Sequence, residues 1–178
     1  MNLWHNVNRE RINPNKFLAC IEISKGSKCK YELDKETGAL RLDRVLYTST
    51  IYPHNYGFIP KTLSEDRDPL DVLVLCSEPI ISLALMEAVP IGVLMMTDSG
   101  EQDEKIIAVA ASDPFYSCYK DITELPAHIL EEISHFFKVY KELEDKETII
   151  ESFYDAKVAK KIICECLERY KEKFHDMF

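Results

Sequence analysis

The stretch EDRDPLD, residues 65–71, runs directly into the apolar stretch VLVLC, residues 72–76. Four of its seven residues carry carboxylates, and the apolar run has the length and composition of a buried β-strand. A charge at the mouth of a core strand is costly unless it is paired or bound to a metal ion. Pro69 fixes one backbone angle and stiffens the loop. Because hard divalent cations bind clustered, rigid oxygen ligands, this stretch predicts a metal site.

Length and composition indicate an ordinary globular protein. The chain has 178 residues, of which 46% are hydrophobic and 30% charged, and its length predicts a single domain over residues 1–178. It has no apolar run of the roughly 20 residues needed to cross a bilayer, and its N-terminus lacks a signal-peptide pattern, so we expect a cytoplasmic location. The net charge of −9 disfavours nucleic acid and anionic membranes as partners. An anionic substrate is still compatible, since bound cations reverse the local charge of a site.

The six cysteines form no C-x-x-C pair. Most of them lie in apolar runs, which favours small buried side chains over disulfides or a zinc site. They are Cys20, Cys29, Cys76, Cys118, Cys164 and Cys166.

Apolar periodicity predicts mainly strands in the first two thirds of the chain. A hairpin is expected where residues 29–33 and 39–45 alternate around a turn at residues 34–38. In its second strand Arg44 has the parity of Leu40 and Leu42, which predicts that Arg44 points to the interior side. The remaining predicted strands are residues 17–23, 71–76, 86–97 with a bend at 90–92, and 105–111, with a loop of short extended pieces at 47–63 and a turn at 98–104.

Helical periodicity appears only in the last third of the chain. Pro126 favours a helix start at its first position, and Asp155 is expected to cap a second helix. Five or more strands joined by short links, without helices between them, predict an antiparallel β-barrel or a sandwich with these helices packed against it. The apolar faces are Ile129, Leu130, Ile133, Phe136, Phe137 and Tyr140 on the first helix, and Ala159, Ile162, Ile163, Cys166, Leu167, Tyr170 and Phe174 on the second.

A second acidic cluster, residues 98–104, precedes Lys105 and repeats the layout of the first. If a barrel brings both clusters to one end, five carboxylates crowd together, which requires raised pKa values or cations between them. Mg²⁺ suits such a site, although either cluster alone could be a solvated turn. An EF-hand is excluded because Asp71 stands where that loop needs glycine and Ser77 where it needs glutamate. The five carboxylates are Asp66, Asp68, Asp71, Asp98 and Asp103.

Basic residues complete the pattern. Lys30, Arg44, Lys105 and Lys141 are each compatible with a surface charge, but together with tyrosine hydroxyls they would suit a phosphate compound. Phosphate-binding glycine loops and nucleophile-elbow or zinc-helix motifs are all missing from the sequence. The residues therefore predict a Mg²⁺-dependent enzyme acting on phosphate, without identifying the substrate.

The chain resembles the soluble family I inorganic pyrophosphatases of the bacterial and plant size class. The signature Asp-x-Asp-Pro-x-Asp is present at Asp66–Asp71, and the likeness extends over roughly residues 17–170. Two positions depart from it: Arg67, where the signature usually has a small or acidic residue, and Met95, where relatives often have lysine. The other matched segments are Ile21–Ile23, Lys30–Glu32, Gly38, Asp43–Arg44, Tyr52–Gly57, Gly92–Leu94, Thr97–Asp98, Asp103–Lys105 and His135–Lys141.

The resemblance implies a five-stranded OB-like closed β-barrel with flanking C-terminal helices, and hydrolysis of pyrophosphate by a metal-activated water. It implies several Mg²⁺ ions per site and a homo-oligomer, which in bacterial relatives is commonly a hexamer. An OB-like module that binds phosphate or nucleic acid without catalysis is the alternative, and a regulator that has lost the chemistry is a third reading. The implied roles are catalysis by Asp68, Arg44, Tyr56 and Lys105, substrate binding by Lys30, Arg44, Tyr56, Lys105, Tyr140 and Lys141, metal binding by Asp66, Asp71, Asp98, Asp103, Glu22 and Glu32, and support from behind by Tyr52.

Overall fold

The structure is a computed structural model that describes residues 2–175. The strands are β1 (Ile12–Asn13), β2 (Lys16–Ile23), β3 (Cys29–Leu33), β4 (Leu40–Val45), β5 (Asn55–Phe58), β6 (Asp71–Leu75), β7 (Leu85–Asp98), β8 (Glu101–Ala110) and β9 (Thr148–Asp155). The α-helices are α1 (Leu3–Asn6), α2 (Ala127–Val139) and α3 (Ala156–Lys173). No helix within residues 2–175 is both long and apolar enough to span a membrane.

Five strands close into a ring, which confirms the five-stranded barrel. β2 pairs with β5, β5 with β6, β6 with β8 and β8 with β7, and β7 pairs back with β2. β1 extends the edge of β2, and β9 extends the edge of β7. The pairing of β6 with β8 is parallel, so the prediction of a purely antiparallel arrangement was wrong. β7 serves as the crossover between them, in the place of the usual crossover helix.

The hairpin of β3 and β4 forms a separate two-stranded sheet beside the barrel, as predicted. Its turn is closed by Gly38, which has a φ of +72° and donates its N–H to the carbonyl of Asp34. The pairing jumps from Lys30 opposite Arg44 to Tyr31 opposite Leu42. Asp43 therefore lies in a bulge, which breaks the strict alternation on which the parity argument for Arg44 depended.

The segment predicted as a loop over residues 47–63 contains β5, one of the expected extended pieces. This strand lies so close to β2 that only glycine fits at position 57, since a Cβ there would be 1.9 Å from the carbonyl oxygen of Cys20. Residues 52–64 are all buried. The aromatic stretch is therefore a wall of the core, with Tyr52 and Tyr56 packed against Phe136 and Phe137 of α2.

One other predicted boundary needs correction. β7 continues to Asp98 and β8 begins at Glu101, so the turn predicted over residues 98–104 contains only Ser99 and Gly100. The irregularity predicted at residues 90–92 is present as a bulge in the pairing of β7 with β8, which bends the strand without interrupting it. Strand β9 was missed because its sequence, TIIESFYD, does not alternate between apolar and polar residues and none of its residues is fully buried.

Both helices lie where they were predicted and bury the predicted faces. Pro126 is the residue before α2 and not its first residue. Asp155 caps α3, accepting a hydrogen bond from the N–H of Val158. The buried faces comprise Ile133, Phe136 and Phe137 on α2, with Tyr140 just after it, and Ala159, Ile163, Cys166, Leu167 and Tyr170 on α3.

Candidate active site

A cleft of about 210 Å³ opens at one end of the barrel, between the β3–β4 hairpin, residues 65–71 and the C-terminal end of α2. We call residues 65–71 the aspartate loop. Thirteen of the fourteen side chains that were predicted for the site line this cleft, and Arg44 is the exception. The thirteen are Glu22, Lys30, Glu32, Tyr52, Tyr56, Asp66, Asp68, Asp71, Asp98, Asp103, Lys105, Tyr140 and Lys141.

The parallel pairing of β6 and β8 explains why the two acidic clusters meet. Parallel strands begin at the same edge of a sheet, and in this pair Asp71 is the register partner of Lys105. Asp103 precedes Lys105 by two residues, so their side chains point to the same face of β8. β7 runs antiparallel to β8 and ends at that edge with Asp98.

We call Tyr56, Asp71, Asp103 and Lys105 the floor of the cleft. The ammonium of Lys105 lies between two carboxylates, with Nζ 2.5 Å from Oδ2 of Asp71 and 2.8 Å from Oδ2 of Asp103. It also donates to the hydroxyl of Tyr56 at 2.9 Å, and that hydroxyl donates to Asp71 at 2.7 Å. Burial alone would lower the pKa of Lys105, but the attraction of Asp71 and the other anions raises it well above its usual range. The floor is thus a closed charge network.

Other carboxylates are crowded without full compensation. Burial raises the pKa of Asp103 despite the opposing effect of Lys105, and burial likewise raises the pKa of Asp66. Glu22 lies in a bulge of β2, accepts the N–H of Leu33 at 2.6 Å, and has its pKa raised by burial to about 8. The cleft therefore holds more negative charge than its lysines neutralise.

The side of the cleft next to α2 carries a further ion pair between a lysine and an aspartate. Lys141 forms an ion pair with Asp98, and the hydroxyl of Tyr140 is 3.5 Å from the same carboxylate. Burial would raise the pKa of Asp98, but the hydrogen bond and charge of Lys141 lower it below its usual value. Tyr140 and Lys141 follow the last residue of α2, so the end of the helix places both on the acidic cluster.

We call Lys35, Asp68, Lys30 and Glu32 the mouth of the cleft. Lys35 forms an ion pair with Asp68, and Lys30 forms one with Glu32. Lys30 and Glu32 are alternate residues of β3 and so share one face of the hairpin. The sequence reasoning missed Lys35, because a lysine in a charged turn has no pattern that separates it from other surface charges.

Arg44 is mostly buried but lies outside the lining of the cleft. Its guanidinium forms ion pairs with Asp43 and, at 2.9 Å from Nε to Oε1, with Glu144. Glu144 belongs to a short 3-10 turn, Glu142–Glu144, that follows Lys141. The bulge at Asp43 puts Arg44 on the face of its register partner Lys30 and not on that of Leu42. Arg44 is outside the lining because its guanidinium is directed to Asp43 and Glu144.

The donors suit a hard divalent cation in kind. The described side chains that line the cleft include seven carboxylates and four lysines but neither histidine nor cysteine, and oxygen-only donor sets are typical of Mg²⁺ and Ca²⁺. Within residues 2–175 no three such side chains already converge on one point. The bridging ammonium of Lys105 occupies the space between Asp71 and Asp103. The residues therefore fit a cation by charge and chemistry.

The two departures from the signature lie away from the cleft lining. Arg67 is exposed, as its place in the loop predicted, and has a φ of +72°. Such a φ strains any residue with a Cβ. Met95 is half-buried and packs against the barrel core. A lysine side chain at position 95 would lose that packing.

Comparison with known proteins gives a consistent family. The sequence model described as inorganic pyrophosphatase matches residues 19–171. The chain is 52% identical over 172 residues to a soluble inorganic pyrophosphatase 2 of Chlamydomonas reinhardtii, covering 96% of this chain and 89% of that protein. It is 49% identical over 169 residues to a soluble inorganic pyrophosphatase of Zea mays, covering 95% of this chain and 79% of that protein.

Solved structures give the same result. The crystal structure of an inorganic pyrophosphatase from Thermus thermophilus superposes with a TM-score of 0.91 at 38% identity, covering 95% of this chain and 99% of that one. The enzyme of Helicobacter pylori superposes with a TM-score of 0.89 at 41% identity, covering 93% and 99%. Pyrophosphatases are known to use divalent metal, in agreement with the donor set of the cleft. The chain belongs to the inorganic pyrophosphatase family.

Proposed function

We propose that this chain hydrolyses inorganic pyrophosphate to two phosphates in the cleft, as a single-domain enzyme. The observation that carries the proposal is the convergence of seven carboxylates and four lysines in one cavity of about 210 Å³. The carboxylates alone would repel the substrate, because pyrophosphate is a polyanion. Together with divalent cations, the two sets would bind both phosphates. The names of the relatives supply the substrate.

The proposed metal ligands are the carboxylates of the floor, the aspartate loop and the hairpin, and Mg²⁺ is the proposed ion. Bound cations would lower the pKa of a water molecule and neutralise phosphate oxygens. The carboxylate of Asp71 interacts electrostatically with those of Asp66 and Asp103 and is proposed to contact two ions, while Glu22 and Glu32 line the same cavity. The proposed ligands are Asp66, Asp71, Asp98, Asp103, Glu22 and Glu32.

The remaining side chains supply proton transfer and charge. Asp68 would orient the attacking water and accept its proton at a carboxylate oxygen. Tyr56 and Lys105 would donate hydrogen bonds from the floor to the phosphate that is attacked, while Lys30, Tyr140 and Lys141 would hold the leaving phosphate from the walls. Tyr52 is buried behind Tyr56, with ring centroids 5.3 Å apart, and would keep that ring in place.

Arg44 is proposed as a further phosphate contact, with its side chain moving from its present position. Its Nη2 is buried and makes no hydrogen bond to residues 2–175, so a donor is available to an oxyanion. Its two carboxylate partners, Asp43 and Glu144, already hold the other side of the guanidinium. We therefore propose Arg44 because it has a hydrogen-bond donor available, although its side chain lies outside the cleft lining.

We also propose that the chain forms a homo-oligomer in the cytoplasm. Leu42, Val45 and Tyr47, on and just after β4, are exposed large apolar side chains close together in sequence, which is typical of a surface covered by another subunit. All six cysteines are free thiols, as expected in a reducing compartment. Sedimentation velocity of the purified chain tests the oligomer.

The test of the function is phosphate release from pyrophosphate with Mg²⁺, with EDTA, and with the variant Asp71→Asn. We expect release only by the wild-type protein with Mg²⁺, because the substitution removes a proposed ligand from the floor. Glu65→Gln is the matched control, since Glu65 lies in the same loop with its side chain 67% exposed and outside the cleft lining. Activity that survives both EDTA and Asp71→Asn would refute the metal mechanism.

A further inference from the structure

We propose that Lys35 changes partner during the reaction: it neutralises Asp68 while the cleft lacks cations, and it contacts a phosphate oxygen of the substrate once cations are bound. This proposal rests on the proposed function. It adds to the site a residue that the sequence pattern did not reveal. Lys35 lines the same cleft as the predicted lysines and forms an ion pair with Asp68.

The backbone of Lys35 is held in place by its surroundings. In the hairpin turn, Oδ1 of Asp34 accepts the N–H of Thr37 at 2.7 Å, and the N–H of Gly38 bonds to the carbonyl of Asp34 at 2.8 Å. The side-chain amide Nδ2 of Asn2 donates a hydrogen bond to the backbone carbonyl of Lys35 at 2.7 Å. This bond ties the turn to the N-terminal segment. A fixed backbone with a long flexible side chain allows the ammonium to move without moving the hairpin.

The four lysines of the cleft differ in how firmly they are held. The side chain of Lys105 is 5% exposed, that of Lys141 13% and that of Lys30 18%, whereas that of Lys35 is 50% exposed. Asp68 is 51% exposed, so its pair with Lys35 is a surface ion pair. Such pairs contribute little to stability because water screens them. Lys35 is therefore the cleft lysine whose present partner is exchanged most easily.

Divalent cations supply the reason for an exchange. The backbone N–H of Asp68 donates to Oδ1 of Asp66 at 2.9 Å. A cation bound to Asp66 and Asp71 would therefore stand near the Lys35 ammonium that pairs with Asp68. The bound cation and the Lys35 ammonium would repel each other because both are positive. Asp68 must also lose its ion pair with Lys35 before its carboxylate can accept a proton from water. An ammonium displaced at the mouth of the cleft finds its nearest new anion in a phosphate of the entering substrate.

The test is the variant Lys35→Gln, with Lys28→Gln as the matched control. Lys28 is exposed and immediately precedes β3, but it lies outside the cleft lining. Two quantities are measured: the affinity for Mg²⁺ alone, by calorimetry without substrate, and KM for pyrophosphate. For Lys35→Gln we expect Mg²⁺ binding about threefold tighter, because a competing cation is gone, and KM about tenfold higher, because a phosphate contact is lost. Lys28→Gln should change neither.

The opposite signs separate this role from a structural one. If Lys35 merely shaped the loop, its loss would weaken Mg²⁺ binding and substrate binding together, and that result would overturn the proposal. An unchanged KM would also overturn it.

Failure of the proposed function is distinguishable from failure of this inference. If the wild-type protein releases no phosphate from pyrophosphate, the proposed function fails. The Lys35 proposal is then judged by calorimetric titration of inorganic phosphate into the Mg²⁺-loaded protein. Weaker phosphate binding by Lys35→Gln than by Lys28→Gln would support it, and equal binding would refute it.

Discussion

The floor of the cleft and its mouth both pair a lysine with aspartate, but in different surroundings. At the floor, the side chain of Lys105 is 5% exposed and meets two carboxylates and a tyrosine hydroxyl. At the mouth, Lys35 and Asp68 are about half exposed and meet each other. The same two residue types therefore form a fixed network in one place and an exchangeable contact in the other.

Burial explains the difference. A charged group taken out of water depends on its partners, so removing one partner at the floor leaves an uncompensated charge. At the mouth, water replaces a lost partner at small cost. The floor should therefore determine both stability and activity, whereas the mouth should affect activity with little change in stability.

The largest expected effect comes from Lys105→Met. It leaves Asp71 and Asp103 facing each other at the floor, and we expect unfolding to become easier by about 3 kcal/mol and activity to fall at least ~100-fold. Urea denaturation and steady-state kinetics measure the two effects. Lys35→Met makes the same chemical change at the mouth and should lower stability by less than about 1 kcal/mol. Equal losses of stability in the two variants would show that the distinction between floor and mouth is wrong.

His54, two residues before Tyr56, is also buried. Its burial predicts that stability depends on pH. Burial lowers the pKa of His54 from 6.5 to about 4. The unfolded chain therefore binds a proton that the folded protein rejects, so this contribution to stability is lost as pH falls from about 6.5 towards 4. At pH 5 the loss is about 2 kcal/mol relative to neutral pH.

The variant His54→Gln should lack this component. Its stability should fall by about 2 kcal/mol less than that of the wild type between pH 7.5 and pH 5. His128→Gln is the control, because the side chain of His128 is 82% exposed. Parallel stability curves for the wild type and His54→Gln would contradict the predicted depressed pKa.

An intermediate effect is expected from Tyr56→Phe. The substitution removes the hydroxyl that donates to Asp71 and accepts from Lys105 but leaves the ring in place. Loss of a hydrogen bond to a charged group corresponds to about a tenfold fall in kcat. Tyr154→Phe is the matched exposed control. A KM change with kcat intact would instead assign Tyr56 to ground-state binding.

The smallest effect is expected from Arg67→Gly in the aspartate loop. Glycine adopts the φ of +72° without strain, so the variant should gain up to about 1 kcal/mol of stability. Because Arg67 is exposed, the Mg²⁺ requirement should change little. Ser99→Gly, at the other acidic turn with a φ of 53°, should behave similarly. A tenfold or larger fall in the Mg²⁺ requirement would show that Arg67 opposes metal binding.

The sequence contained most of the fold and nearly all of the site, for identifiable reasons. Local patterns predicted the hairpin, the strand after Asp71 and both helix faces, because apolar periodicity reports which face is buried. The parallel partner of β6 could not be predicted, since strand pairing depends on contacts far apart in sequence. Strand β9 was missed because its eight residues do not alternate between apolar and polar side chains and none of them is fully buried.

The site residues that sequence reasoning misplaced or missed are those set by local irregularity. A one-residue bulge at Asp43 changes the face of the hairpin on which Arg44 lies, and no periodic pattern indicates such a bulge. Glu144 and Lys35 gain their partners only through tertiary contact. The resemblance supplied the substrate and the roles, whereas the residues alone reached only a metal-dependent reaction of phosphate.

The single tryptophan of the chain lies in the wall of the cleft. Trp4 donates its indole N–H to the carbonyl of Thr62 at 2.8 Å, in the segment that leads to the aspartate loop. An indole fixed beside that loop is an intrinsic fluorophore whose emission senses the nearby charges. The protein thus carries its own optical reporter, with which entry of a cation into the proposed site would be followed in real time without any label.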